Sequence, residues 1–180
     1  MDHYADFSAG PVTVIYPEQI KGMRKIAELN KNRKRYRICA HSDPTDILQE
    51  MYICAKDEGY IPVYQHPETP TTHFIINGTI ALVIFDKLGN IVQVSVLDKD
   101  KGALSCRINQ GIYYMTYIIT EWADYLECKS GAFTEISNRL APWTPEVDDV
   151  ETVLAFMKYV DEAVHAECDR LNIKMKNRMG

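Results

Sequence analysis

The chain has 180 residues, of which 46% are hydrophobic and 25% charged, and these values fit one soluble domain or one domain with helical additions. A formal net charge of −5 disfavours general binding to nucleic acid. No apolar run approaches the roughly 20 residues that span a bilayer, and the first residues lack the basic and apolar regions of a signal peptide. The five cysteines are scattered without a C-x-x-C pair, which favours reduced thiols and a cytoplasmic location.

A first helix is predicted from Pro17 to Lys31. Proline suits the first turn of a helix, and apolar residues then recur at helical spacing. The end of this helix overlaps the basic run Lys31–Arg37 (KNRKRYR). Such a run can contact a phosphate or a sugar nucleotide. The favoured interpretation is a solvated helix end, because cations are stabilised at the C-terminal end of a helix dipole.

From Arg35 to Cys128 the sequence has the pattern of a β-rich domain. Short segments rich in β-branched and aromatic residues alternate with turn signals, which predicts a sandwich or small barrel rather than a parallel α/β sheet. A hairpin is predicted at Asp86–Asn90, because Gly89 can take a positive φ. The predicted strands are Glu50–Ala55, Phe74–Phe85, Ile91–Leu97, Ala103–Ile108, Tyr113–Thr120 and Trp122–Cys128.

A second helix is predicted from Pro145 to Leu171, where apolar residues again recur at helical spacing. The predicted organisation is therefore an N-terminal helical segment (residues 1–34), a barrel (35–146) and a C-terminal helix (147–180). We expect the C-terminal helix to pack on the barrel or on a second subunit. Its apolar stripe favours a homodimer, because a two-fold pair is the simplest symmetric way to cover it.

The segment Tyr60–Gly78 (YIPVYQHPETPTTHFIING) carries the most specific motif. Its layout is similar to the metal-binding motif of the cupin superfamily, which runs H-x-H, four residues, Glu, six residues and Gly. Tyr64 stands in the place of the first His, and His66 keeps the second. Thr71 stands in the place of the Glu. In the second motif, P-x-G-x-x-H, Tyr114 stands in the place of the His.

The chain resembles the WbuC family of cupin-fold metalloproteins, which are small and often encoded among polysaccharide-biosynthesis genes. The resemblance implies a single cupin-type β-barrel (a double-stranded β-helix) with flanking N-terminal and C-terminal helices. It covers roughly residues 21 to 146 and depends on several motifs in the right order: Arg33–Arg35, His41–Asp43, Asp46–Met51, Gly59–Glu68, Asn77–Thr79, Phe85–Asp86, Gly131–Phe133 and Ala141–Glu146.

Three of the four ligand positions that the resemblance implies carry Tyr or Thr, whose neutral hydroxyls are poor ligands for a first-row metal. We therefore expect no metal and no cofactor. If a metal is present, His66 and His73 are the predicted ligands.

The spacing of the motif predicts a polar pocket. Strand alternation places Tyr64 and His66 on one face, and Thr71 and His73 together on one face of the next strand. The resemblance places Tyr114 inward as well.

The pocket allows three interpretations. The first is a catalytic acid–base pair, with His66 as base and Tyr64 or Tyr114 as acid. It predicts a metal-independent isomerase or epimerase that acts on a sugar nucleotide or a related polysaccharide precursor, by analogy of fold alone. The second is a non-catalytic site for a small polar metabolite or nucleotide. In the third, the tyrosines only fill a pocket that has lost its activity. The predicted ligand-binding residues are His73, Thr71 and Arg107.

Overall fold

The computed structural model describes residues 5–29, 34–134 and 137–175. Within these residues lie eleven strands and two helices. In chain order they are β1 (Ala5–Phe7), α1 (Pro17–Leu29), β2 (Arg35–Cys39), β3 (Leu48–Lys56), β4 (Tyr64–Gln65), β5 (Thr71–Asn77), β6 (Thr79–Phe85), β7 (Ile91–Asp98), β8 (Ser105–Ile108), β9 (Tyr113–Ile118), β10 (Trp122–Ser130), β11 (Arg139–Leu140) and α2 (Val150–Arg170).

The strands form two sheets. Sheet A has the order β1-β2-β3-β10-β5-β8, and sheet B has the order β11-β4-β9-β6-β7. From β3 to β10, all pairs of neighbouring strands are antiparallel. The two four-stranded units β3-β10-β5-β8 and β4-β9-β6-β7 have the order of a double-sheet jelly roll, which is the architecture of cupins. The predicted cupin-type double-stranded β-helix with two flanking helices is confirmed.

Each sheet is covered on both faces. Leu82 belongs to the apolar cluster inside the barrel. On the outer face of sheet B, Val160 and Val164 of α2 pack against the strands, and on the outer face of sheet A, Met23 and Ala27 of α1 do the same. This double coverage explains why β6 is an uninterrupted apolar run (TIALVIF) rather than an alternating one.

For the described part of the basic run, the favoured interpretation holds for Lys34, whose Nζ donates to the carbonyl oxygen of Glu28 in the last turn of α1 at 3.0 Å. It is wrong for Arg35 and Arg37. Helix α1 ends at Leu29, and residues 30–33 lie outside the described residues. Arg35 and Arg37 belong to β2, where residues two apart share a face. That face is the inner one, because both side chains line the cavity between the sheets.

The second predicted helix begins later than expected, at Val150 rather than Pro145. Asp149 is its N-cap, and the Asp149 side chain accepts a hydrogen bond from the backbone N–H of Thr152. No helix in the described part of the chain is long and apolar enough to cross a membrane.

The predicted strand Phe74–Phe85 is divided into two strands by Gly78. Gly78 has a φ of +74°, a conformation that favours glycine. A Cβ at this position would contact the carbonyl oxygen of Trp122 and the Oγ1 atom of Thr120. The chain can therefore turn from sheet A into sheet B here only because residue 78 has no side chain.

Replacing Gly78 with alanine should lower the free energy of unfolding by about 2 kcal/mol or more, because the new methyl group would meet backbone atoms at a strained φ. Gly22→Ala is the matched control. Gly22 is exposed in α1, and no atom lies within 4 Å of the position of its Cβ. That change should raise the stability by about 0.5–1 kcal/mol. Urea denaturation measures both values, and an unchanged stability of Gly78→Ala would contradict this account of the turn.

Candidate functional site

A cavity of about 840 Å³ lies between the two sheets. This volume is in the range of small-molecule sites. One wall comes from β2, β3 and β10 of sheet A, and the other from β4 and the loops around it. The polar side chains of the lining include Arg35, Arg37, Gln49, Glu127 and Lys129 on sheet A, with Tyr64 and His66 on the opposite wall.

Tyr64, His66 and Tyr114 form one hydrogen-bonded group. Tyr64 pairs with Tyr114 across β4 and β9. The Tyr114 hydroxyl oxygen lies 3.1 Å from the Tyr64 hydroxyl oxygen and 3.1 Å from Nε2 of His66. Tyr64 and His66 line the cavity, whereas Tyr114 is 0% exposed and lies behind them.

The backbone carbonyl of Ser137 fixes the tautomer of His66. Nδ1 of His66 lies 2.7 Å from this oxygen, which can only accept a hydrogen bond, so Nδ1 carries a proton. Nε2 is therefore the nitrogen that can gain or lose a proton, and it faces the Tyr114 hydroxyl. In this structure the Tyr114 hydroxyl donates its single hydrogen to the Tyr64 hydroxyl oxygen. An imidazolium ring can donate from Nε2 to the Tyr114 oxygen, whereas a neutral ring with its proton on Nδ1 can accept from Tyr114 only if that hydroxyl turns away from Tyr64. A proton can thus pass between His66 and Tyr64 through Tyr114.

Glu127 is a site residue that the sequence analysis missed. It lies in β10 opposite His73, and its carboxylate oxygens lie 3.6 Å from Nε2 of His66 and 3.8 Å from Nε2 of His73. Burial alone would raise the pKa of Glu127, but the two histidine rings and Arg35 outweigh this effect and lower the pKa to about 2. Glu127 is therefore ionised inside the barrel, with its carboxylate next to Nε2 of His66.

Thr71 and His73 point into the barrel from β5, behind the surface of the cavity. The Thr71 hydroxyl donates to the carbonyl oxygen of Cys128 at 3.3 Å. His73 is 0% exposed, and neither of its ring nitrogens has a hydrogen-bond partner in the described part of the chain. Burial lowers the pKa of His73, although the charge of Glu127 opposes this effect. Of the two histidines next to Glu127, His73 is thus the one held in the neutral form.

Arg107, a predicted ligand-binding residue, lies outside this cluster. It is exposed in β8, between Cys106 and Ile108, which pack against the barrel core. Because strand residues alternate between faces, Arg107 lies on the outer face of sheet A. The cations of the cavity are instead Arg35, Arg37 and Lys129.

The donor atoms at the usual cupin ligand positions do not fit a metal ion. The hydroxyls of Tyr114 and Thr71 are taken up by the hydrogen bonds described above. Residues 5–29, 34–134 and 137–175 contain no group of three or more His, Cys, Asp or Glu side chains arranged to hold a metal.

Comparisons with known proteins give one family model and several similar solved structures. A family model described as a domain of unknown function (DUF6016) matches residues 16–97. None of the curated proteins matches the sequence. Among solved structures, a protein with a double-stranded β-helix domain from Klebsiella pneumoniae has 13% identity and a TM-score of 0.47, over 62% of this chain and 86% of that one.

Two further solved structures show similar values. A protein from Shewanella oneidensis has 13% identity and a TM-score of 0.47, over 78% of this chain and 84% of that one. Oxalate decarboxylase from Bacillus subtilis has 15% identity and a TM-score of 0.46 over 59% of this chain, which spans only 27% of the length of that protein. At these identities the likeness concerns the fold alone, and the fold assignment depends on the strand order.

Stability should fall on acidification because of His73. Its lowered pKa means that the unfolded chain binds a proton at a higher pH than the folded chain does. The stabilisation is fully present above the ordinary imidazole value of about 6.5 and is lost as the pH falls below it, by up to about 1.4 kcal/mol per pH unit. His73→Phe should remove this part of the decline.

Urea denaturation at a series of pH values measures this effect. His165→Gln is the control, because the side chain of His165 on α2 is 39% exposed. Its pH profile should match that of the wild type. An equal slope below pH 6.5 in His73→Phe and the wild type would show that His73 does not cause the acid sensitivity.

Proposed function

We propose that the cavity is a metal-independent acid–base site that transfers protons on a small polar molecule. The observation that carries this proposal is the chain of contacts that runs from the buried carboxylate of Glu127 to the cavity-facing hydroxyl of Tyr64. His66 acts as the base, and Glu127 stabilises its imidazolium form. Tyr64 exchanges the proton with the ligand, with Tyr114 as the link between them.

Tyr64 and Tyr114 take part in proton transfer as neutral hydroxyl groups. Burial raises the pKa of both Tyr64 and Tyr114, and the charge of Glu127 adds to this effect. Neither hydroxyl therefore holds a stable negative charge, and each passes a proton on as it receives one. The group as a whole can take a proton from a ligand and return it, which is the chemistry that isomerases and epimerases need.

The resemblance to WbuC proteins favours a substrate from polysaccharide biosynthesis, a sugar nucleotide or a related precursor, in the cytoplasm. An alternative is a non-catalytic cavity that holds a small polar metabolite or a nucleotide. The size and polar lining of the cavity support both proposals equally. Proton exchange distinguishes them, because only the first requires Nε2 of His66 to change its protonation state.

The test uses chelator-treated protein, a panel of keto sugar nucleotides and D₂O. Mass spectrometry should show that the wild type incorporates deuterium next to the carbonyl group. His66→Asn keeps a donor for the Ser137 carbonyl but removes Nε2, and should slow the exchange by about 100-fold or more. Tyr64→Phe should have a similar effect, because it breaks the chain of hydroxyls.

Tyr16→Phe is the control, because Tyr16 is 59% exposed and lies outside the cavity. Binding of a panel member without exchange would support the non-catalytic alternative. Exchange that appears only after a metal is added back would contradict the metal-independent proposal.

We also infer that two copies of the chain associate through α2. Val160 and Val164 of this helix pack on the barrel, but Val150 and Leu154 are each 65% exposed. A two-fold contact would cover these side chains. Light scattering should give the mass of two chains for the wild type and of one chain for Leu154→Glu. A monomeric wild type would contradict this inference.

A further inference from the structure

Two cations of the cavity wall have no acidic partner. Arg37 on β2 and Lys129 on β10 both line the cavity, and Lys129 is only 3% exposed. Among the described residues, no Asp or Glu oxygen lies within 4.0 Å of either side chain. The Arg37 guanidinium contacts the sulfur of Met51 at 3.6 Å, and the Lys129 ammonium lies 5.3 Å from the centre of the Phe133 ring.

The acidic residues of the cavity lining do not form ion pairs with Arg37 or Lys129. Asp148 is exposed to solvent, and Glu127 lies beside His66 and His73. Burial lowers the pKa of Lys129, although the charge of Glu127 opposes this effect. A buried ammonium group without a paired anion is costly. The wall of the cavity therefore holds positive charge that a bound anion would compensate.

Resting on the proposed function, we propose that Arg37 and Lys129 bind an anionic group of the ligand, a phosphate or a carboxylate. The planar guanidinium of Arg37 suits two oxygens of such a group, and Lys129 adds a compact point charge. Arg35 lines the same wall and contributes to the positive field.

The anion site and the acid–base group are within reach of one small molecule. Glu127 and Lys129 lie two residues apart on the same face of β10, which corresponds to about 7 Å. A ligand whose reacting atom lies a few bonds from its phosphate or carboxylate spans this distance. The substrate class is therefore a phosphorylated or carboxylated small molecule that is held at Lys129 and reacts near His66.

The experiment is isothermal titration calorimetry on the full chain with three probes: pyrophosphate, malonate and an uncharged sugar. One or both anions should bind, and the sugar should not. Comparing the two anions shows which anionic group the site prefers. Lys129→Met and Arg37→Gln should each weaken the binding of the preferred anion by about tenfold or more, as expected for the loss of a charge-assisted hydrogen bond.

Arg107→Gln is the matched control. It removes an arginine from the outer face of the same sheet and should leave the affinity unchanged. Lys129→Met keeps an apolar stem and removes an unpaired buried charge, so its thermal unfolding midpoint should be equal to or above that of the wild type. This result would show that weaker binding does not come from misfolding.

Three outcomes would overturn the proposal: no binding of either anion, wild-type affinity in both Lys129→Met and Arg37→Gln, or an equal loss in Arg107→Gln. His66→Asn separates this proposal from the proposed function, because it should bind the anion like the wild type but lose proton exchange. If His66→Asn retains exchange while Lys129→Met loses anion binding, the acid–base role fails and the anion site stands.

Discussion

The arrangement of the cavity depends on one buried charge, the carboxylate of Glu127. A carboxylate inside a barrel is costly unless cations or hydrogen-bond donors surround it. The ring of His66 and the charge of Arg35 provide this compensation and keep Glu127 ionised. Because the Ser137 carbonyl fixes one nitrogen of His66, the charge of Glu127 acts on the other nitrogen. The ring that compensates the charge of Glu127 is therefore the same ring whose Nε2 atom can accept a proton.

Two positions that the resemblance aligns with metal ligands, Tyr64 and Tyr114, contact each other. In the usual cupin motif, the positions of Tyr64 and Tyr114 carry histidines that converge on a metal. Here the Tyr114 hydroxyl oxygen lies 3.1 Å from the Tyr64 hydroxyl oxygen and 3.1 Å from Nε2 of His66. The jelly roll makes this possible because β4 and β9 are neighbours in sheet B although they lie far apart in sequence.

The local pattern of the sequence predicts a β-sandwich or small barrel and both helices, whereas the cupin barrel and the inward position of Tyr114 are implied by the resemblance. It fails for Glu127, because in β10 the neighbouring Leu126 looks like the core-facing residue. The period-two pattern is ambiguous there, since α1 covers part of the outer face of sheet A and apolar residues occur on both faces. It also fails for Arg37, whose strand depends on long-range pairing with β3 rather than on local propensity.

The central claim is that Nε2 of His66 is the proton-accepting atom of a group that ends at Tyr64. Nitrogen-15 NMR of the histidine rings tests this claim directly, and His66→Asn identifies the His66 signals. The account predicts a proton on Nδ1 of His66 and an uncharged His73 ring at neutral pH. A His66 ring with its only proton on Nε2, or a charged His73 ring at neutral pH, would contradict it.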